Sequence, residues 1–258
     1  MRAIVIASLF IIGLGAAPVP AQAEPTDITV RVISRDAKFI GTSMGGVAIT
    51  IRDARSGTIF ARGVTQGGTG DTAKIMHKDG GRRARLADAS AAKFETTLDL
   101  DAPRLIEVEA YGPLAQPQAA HRVTASQWMV PGADLSGGDG WVLEMPGFVV
   151  DVLAPSAHVR LPADTEEVEL AANVVMMCGC PITPGGLWDA EDYTVRAMVT
   201  RNGEAWGKID LVYAGTTSQF AAAVPVDGPG VYDVLVYAHD PATGTTGSDR
   251  TTYIVAGD

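Results

Sequence analysis

Short stretches in which apolar and polar residues alternate constrain this chain more than any other feature. Residues 26–34 (TDITVRVIS), 46–52 (GVAITIR), 94–100 (FETTLDL) and 104–111 (RLIEVEAY) show the pattern in the first half. Residues 149–153, 167–177, 193–199, 205–213, 220–226, 231–239 and 251–255 repeat it in the second. A period of two sends successive side chains to opposite faces of a half-buried strand. The runs are rich in Val, Ile, Thr and Tyr and stop at Gly, Pro, Asp or Asn, as strands do. Only 83–93, Ala-rich and without a clear cap, reads as a helix, and a short one. Regular short strands punctuated by turns predict an all-β protein of sandwiches rather than an α/β sheet.

The N-terminus begins Met1-Arg2, continues as an apolar run over 3–15 and ends in Ala21-Gln22-Ala23. A charged start, a short apolar centre and an Ala-x-Ala end predict a secretory signal over 1–23, cut before Glu24. The run falls short of the roughly 20 residues that a membrane span needs. A second hydrophobic segment and a lipidation cysteine at the cut are both missing, so the expectation is a soluble exported protein, periplasmic or secreted, with no membrane anchor. Removing 1–23 takes away Arg2 and no acid, moving the formal charge from −10 to −11. Such a surface repels phosphate backbones and anionic lipid, so nucleic acid is excluded as a partner class, while cations and basic partners remain compatible. The one basic stretch, 77–85 (HKDGGRRAR), reads as a solvated loop, with an anion site as its alternative.

Two cysteines are too few for a disulfide framework, so the fold must rest on its apolar core. The length leaves room for one large domain or two of about 110 residues. A turn-rich stretch at 131–140 and the junction Met145-Pro146-Gly147 divide the chain into 24–145 and 146–258. Asp134 and Asp139 lack the ordered ligand spacing of a calcium loop, and a Gly-rich turn is the better reading.

The run Gly230-Val231-Tyr232-Asp233-Val234-Leu235-Val236-Tyr237-Ala238-His239-Asp240 resembles the G-x-Y-x-V-x-V-x-A-x-D pattern of bacterial Ig-like domains. That resemblance implies an Ig-like sandwich over the second half. It also implies that Tyr232 is a tyrosine corner, its ring buried and its hydroxyl returned to backbone. Such domains share no catalytic residues. In the first half, 46–53 with Ser56-Gly57 and 63–65 resembles a hairpin of a transthyretin-type sandwich. Met198, Leu235 and Tyr237 fall on the outer face of one sheet of the second half, which predicts contact with the first domain or with a partner.

Met176-Met177-Cys178-Gly179-Cys180 holds both cysteines beside two thioethers. Thiolate and thioether sulfur suit Cu(I), whereas calcium and magnesium prefer oxygen. In an Ig-like fold Cys178 ends one strand and Cys180 begins the next loop, at the end where His239-Asp240 opens another. The expected site is therefore Cys178, Cys180 and His239, with Met176 or Met177 as a weaker ligand, holding copper, or zinc if a fourth ligand closes a tetrahedron. Two other readings compete. Extended backbone would hold the two cysteine Cα atoms about 7 Å apart, so a disulfide requires a turn at Gly179 and would be a redox group. Alternatively Met176 and Cys178 are plain core residues.

Other motifs are weaker. Gly41-Thr42-Ser43-Met44-Gly45 fits the G-x-S-x-G of a serine hydrolase, but a strand rather than a helix comes after it. Residues 66–72 (QGGTGDT) lack the lysine of a phosphate loop. Met76-His77 is a surface pair, and His121 and His158 sit in polar loop contexts. Trp188 is expected to pack on the sandwich end or to lid the sulfur cluster. The leading expectation is a non-enzymatic exported protein that binds or delivers copper. The alternative is an interaction module of an envelope assembly with a protein partner and structural cysteines; a redox protein comes third.

Overall fold

The computed structural model describes residues 22–77 and 80–257. The signal expected over 1–23 lies, apart from its last two residues, outside them. The protein is all-β, and no helix among the described residues is long and apolar enough to cross a membrane.

Seven strands build the first half: β1 Glu24–Ser34, β2 Ala48–Asp53, β3 Ile59–Val64, β4 Phe94–Leu100, β5 Arg104–Gly112, β6 His121–Met129 and β7 Trp141–Met145. They form two sheets, β4-β1-β7 and β3-β2-β5-β6, with β1 parallel to β7 and every other pair antiparallel. Alternation turns Ile28, Val30 and Val32 from one sheet toward Ile49, Ile51, Ile106 and Val108 from the other, and all are almost fully buried.

The second half holds β8 Phe148–Ala154, β9 Val159–Leu161, β10 Glu167–Met176, β11 Thr194–Arg201, β12 Glu204–Tyr213, β13 Gln219–Pro225, β14 Gly230–His239 and β15 Thr246–Val255. Their order is β8-β10-β13-β12-β11-β14-β15-β9. β12 and β13 pair only through Val212↔Ala221 and Tyr213↔Phe220, so the run folds there into two facing layers. Asp249 of β15 accepts from Val152 N of β8 at 2.8 Å, drawing the far ends together. Tyr232 is fully buried; its hydroxyl donates to Gly228 O at 2.9 Å and accepts from Asp227 N at 3.1 Å, which is the expected tyrosine corner. The layers, their core and this corner are Ig-like.

The helix expected over 83–93 does not form. A 3-10 turn occupies Gly81–Arg83, and residues 84–93 are irregular. Carboxylates have taken the amide groups of this stretch: Asp139 accepts from Leu86 N and Ala87 N, and Asp88 from Ser90 N and Ala91 N. The helix of this region is instead α1, Thr72–Met76, whose N-cap Asp71 accepts from Lys74 N at 2.7 Å.

The two cores are not separate. β8 and the end of β10 are apolar on both faces: Phe148, Val150, Val174 and Met176 enter the second core, while Val149, Val175 and, just past β10, Met177 join the first. Ala37, from the loop after β1, enters the second core in return. Strands covered on both sides read as continuous apolar runs, and Val174-Val175-Met176-Met177 is one.

Candidate functional site

Where β10 ends, the backbone doubles back. Gly179 N donates to Met176 O at 2.7 Å and Met176 N to Cys180 O at 3.1 Å, with Gly179 at φ 76°, a conformation that favours glycine. This turn brings the Cα atoms of Cys178 and Cys180 to 5.4 Å, and their sulfurs are joined in a disulfide. Both cysteines are buried.

The structure therefore departs from the expected chelate at three points. Neither sulfur of the disulfide is a thiolate. Met176 ends β10 and Met177 opens the turn after it, and their side chains enter different cores. His239 is still within β14, opposite Thr194 and Thr246, and not in the loop beyond. Its neighbour Ala238 is fully buried in the same core as the cysteines, so alternation places His239 on the outward face. Among the described residues, no three His, Cys, Asp or Glu side chains gather where they could hold a metal ion.

Sequence reasoning missed one sulfur. A Cβ on Gly179 would lie 2.6 Å from Met44 Sδ, so the thioether of Met44 rests on the glycine between the two cysteines. Met44 is the fourth residue of the G-x-S-x-G motif. That motif is a 3-10 turn, Thr42–Met44, closed by Gly45, and Ser43 is exposed on it. No strand–turn–helix elbow forms.

Trp188 joins the same seam. Its indole is buried, and Nε1 donates to Asp36 O at 3.0 Å, a bond from the second half to the first. Tyr193 stands nearby with its pKa pushed up to about 12, by burial first and then by the negative charges of Asp240, Asp192, Asp36 and Asp189. Asp134 and Asp139 are staples: Asp134 accepts from Asp27 N, and Asp139 holds the 86–87 backbone.

On the outer side of the seam lies a groove of about 500 Å³, bordered by His121, Phe148, Met198, Leu235, Tyr237 and Ser248. The expected outward face of Met198, Leu235 and Tyr237 thus meets the end of β6. Met198 keeps 44% of its surface exposed. His121 Nδ1 lies 3.1 Å from Ala119 O, and the Gln118 amide donates to Val150 O, fixing the opposite wall. Gly147 forms the floor: a Cβ there would sit 3.2 Å from Met177 Sδ and 3.5 Å from His121 Cε1. His158 lies elsewhere, at positive φ in the turn before β9.

No family model matches the chain, and no curated protein matches it. Among solved structures it is similar to an engineered protein at 19% identity and TM-score 0.32, over 46% of this chain and 22% of that one. Fibronectin(III)-like modules of Clostridium thermocellum CbhA are similar at 12% identity and TM-score 0.29, over 92% of each chain. The chicken interferon gamma receptor alpha chain is similar at 15% identity and TM-score 0.31, over 92% of this chain and 100% of that one.

Proposed function

We propose that this chain is an exported, non-enzymatic recognition module that binds a protein of the cell envelope in the groove beside β14. One observation carries the reading. Met198 and Leu235 present apolar side chains outward at the seam of two sandwiches, within a concave site that also offers the polar ends of His121, Tyr237 and Ser248. A mostly apolar hollow with a few convergent polar groups, at a boundary between domains, is where ligand sites concentrate. Methionine adapts its shape to an incoming side chain. The division into 24–145 and 146–258 belongs to this reading, and so does a transthyretin-like first half, which the facing sheets β4-β1-β7 and β3-β2-β5-β6 support. A photo-crosslinking residue placed at Leu235 tests it in the native envelope. The expected result is one discrete adduct, absent when Glu169 on the other layer carries the probe and lost with Met198→Glu. The same adducts from both positions would reject the groove.

Copper binding is a second reading, favoured by the thioether of Met44 on Gly179. It applies to the reduced protein, in which two thiolates and that thioether would offer a soft donor set. Metal analysis after anaerobic reduction decides it. Copper retained by the native chain and lost in Cys178→Ser/Cys180→Ser supports it, and equal metal in both eliminates it.

A further inference from the structure

Each sheet of this molecule ends in edge strands, and an edge strand offers unpaired backbone donors and acceptors to another chain. Most of these edges are protected. β3 pairs with β2 through a register shift at Ile51–Arg52, β4 carries Glu95 and Asp99, and β7 is five residues long. β9 is three residues long, and β8 commits its Val152 amide to Asp249. β6 has none of these defences. It runs nine residues, pairs with β5 without a break from His121 to Met129, and contains neither proline nor acid. Among the described residues, those of β5 alone hydrogen-bond its backbone.

The side chains of β6 fit a second β6 laid antiparallel beside it. With the two-fold axis at Ala125, Arg122 falls opposite the partner's Trp128, Val123 opposite the partner's Gln127 and Thr124 opposite the partner's Ser126. No like charges meet, hydroxyl faces hydroxyl, and the smallest side chain of the strand sits on the axis. The two Arg122 groups stand about 20 Å apart, six residues at about 3.4 Å each. Each is already paired with Glu109 at 3.3 Å, so β6 brings no unpaired charge to the contact. That matters because the chain has a formal charge of −10, and two copies would repel at an acidic edge. Trp128 keeps 55% of its surface exposed, which is unusual for so large an apolar group. The pairing lays the hydrocarbon stem of the partner's Arg122 beside it.

We propose that two copies of this chain join through β6 into one continuous sheet, β3-β2-β5-β6 followed by the partner's β6-β5-β2-β3. Pairing over 122–128 makes about six to eight backbone hydrogen bonds. The contact is isologous and closes the open edge of each copy. Both ends of the joined sheet are then the register-shifted β3, so assembly stops at two. A main-chain contact of this size is small, and the dimer should be reversible, forming between about 1 and 100 µM.

Sedimentation of the intact exported chain tests this, and it should pass from monomer to dimer as concentration rises through that range. Thr124→Lys/Ser126→Lys should weaken the dimer about tenfold, because the lysines meet like charges across the axis. Within one copy they face Glu109 and Glu107, so Tm measured on dilute protein should not fall. Cysteine pairs read the register. A mixture of Arg122→Cys and Trp128→Cys chains should cross-link, whereas Arg122→Cys alone should not, its thiols lying about 20 Å apart. A native chain that stays monomeric to the top of the range, or a dimer untouched by the two lysines, would overturn the pairing. Cross-linking of Arg122→Cys alone as fast as the mixture would overturn its register.

Discussion

The two halves fasten their loops by different chemistry. In the first, carboxylates do most of it: Asp53, Asp71, Asp88, Asp134 and Asp139 each accept from backbone amides that no sheet satisfies. In the second, the corner hydroxyl of Tyr232 and the hydroxyl of Ser218, which accepts from Ile182 N, act beside a disulfide and a stacked pair of tyrosines, 232 and 253, at 4.7 Å. Asp189, Asp240 and Asp249 are its smaller share of carboxylate caps. A half held by ionised acceptors depends on pH; one held by neutral groups and packing depends on volume.

The largest test of that contrast crosses it. Met177→Ala removes a side chain that lies just past β10 yet fills the first core, so it should cost about 3 kcal/mol. Urea unfolding monitored by hydrogen exchange should show the loss in the amides of β1, β2 and β5. Asp139→Ala comes next, at about 2 kcal/mol, because two amides lose their acceptor, and protection should fall around 86–87 while β10 and β14 stay unchanged. Cys178→Ala/Cys180→Ala should cost about 1.5 kcal/mol, the closure entropy of so short a ring, read as a drop in the urea midpoint. Acid is the mildest probe. Hydrogen bonds to the ionised form hold Asp88 and Asp53 below the usual carboxylate range, Asp88 chiefly through the Ser90 hydroxyl and Asp53 through the Ser56 and Arg55 amides. A depressed folded pKa gives stability that is complete above about pH 4 and lost as pH falls through the folded value. The first half should lose protection there before the second, and Asp88→Asn should flatten that slope.

Much of the fold was readable because half-buried strands announce themselves by alternation. β1, β10, β11, β12, β13 and β14 lie where the pattern puts them, and the Tyr232 motif carried its corner with it. β6 escaped because its inward row includes the polar His121 and Gln127 and its outward row ends in the apolar Trp128, which weakens the contrast. β9 is three residues long and pairs in parallel with β15, leaving no local turn to betray it. The misread helix shows a limit of propensity: Ala-rich sequence lost its amides to Asp88 close by and to Asp139, which lies 52 positions beyond Ala87. At the seam, one residue decided the outcome. Placing His239 in the loop would have turned its ring toward the cysteines; one more strand residue turns it to the other face. Met44 and Trp188 reach the seam through contacts across most of the sequence, and local pattern carries no record of such partners.

The exchange of side chains at the junction bears on how this molecule comes apart. A truncated chain ending at Met145 would lack Val149 and Met177 and expose a gap lined by hydrocarbon, while one beginning at Pro146 would lose Ala37 and the acceptor of the Trp188 indole. Each fragment should be sticky and prone to precipitate when expressed alone, whereas the intact chain should stay dispersed, each half supplying the hydrocarbon that covers the other.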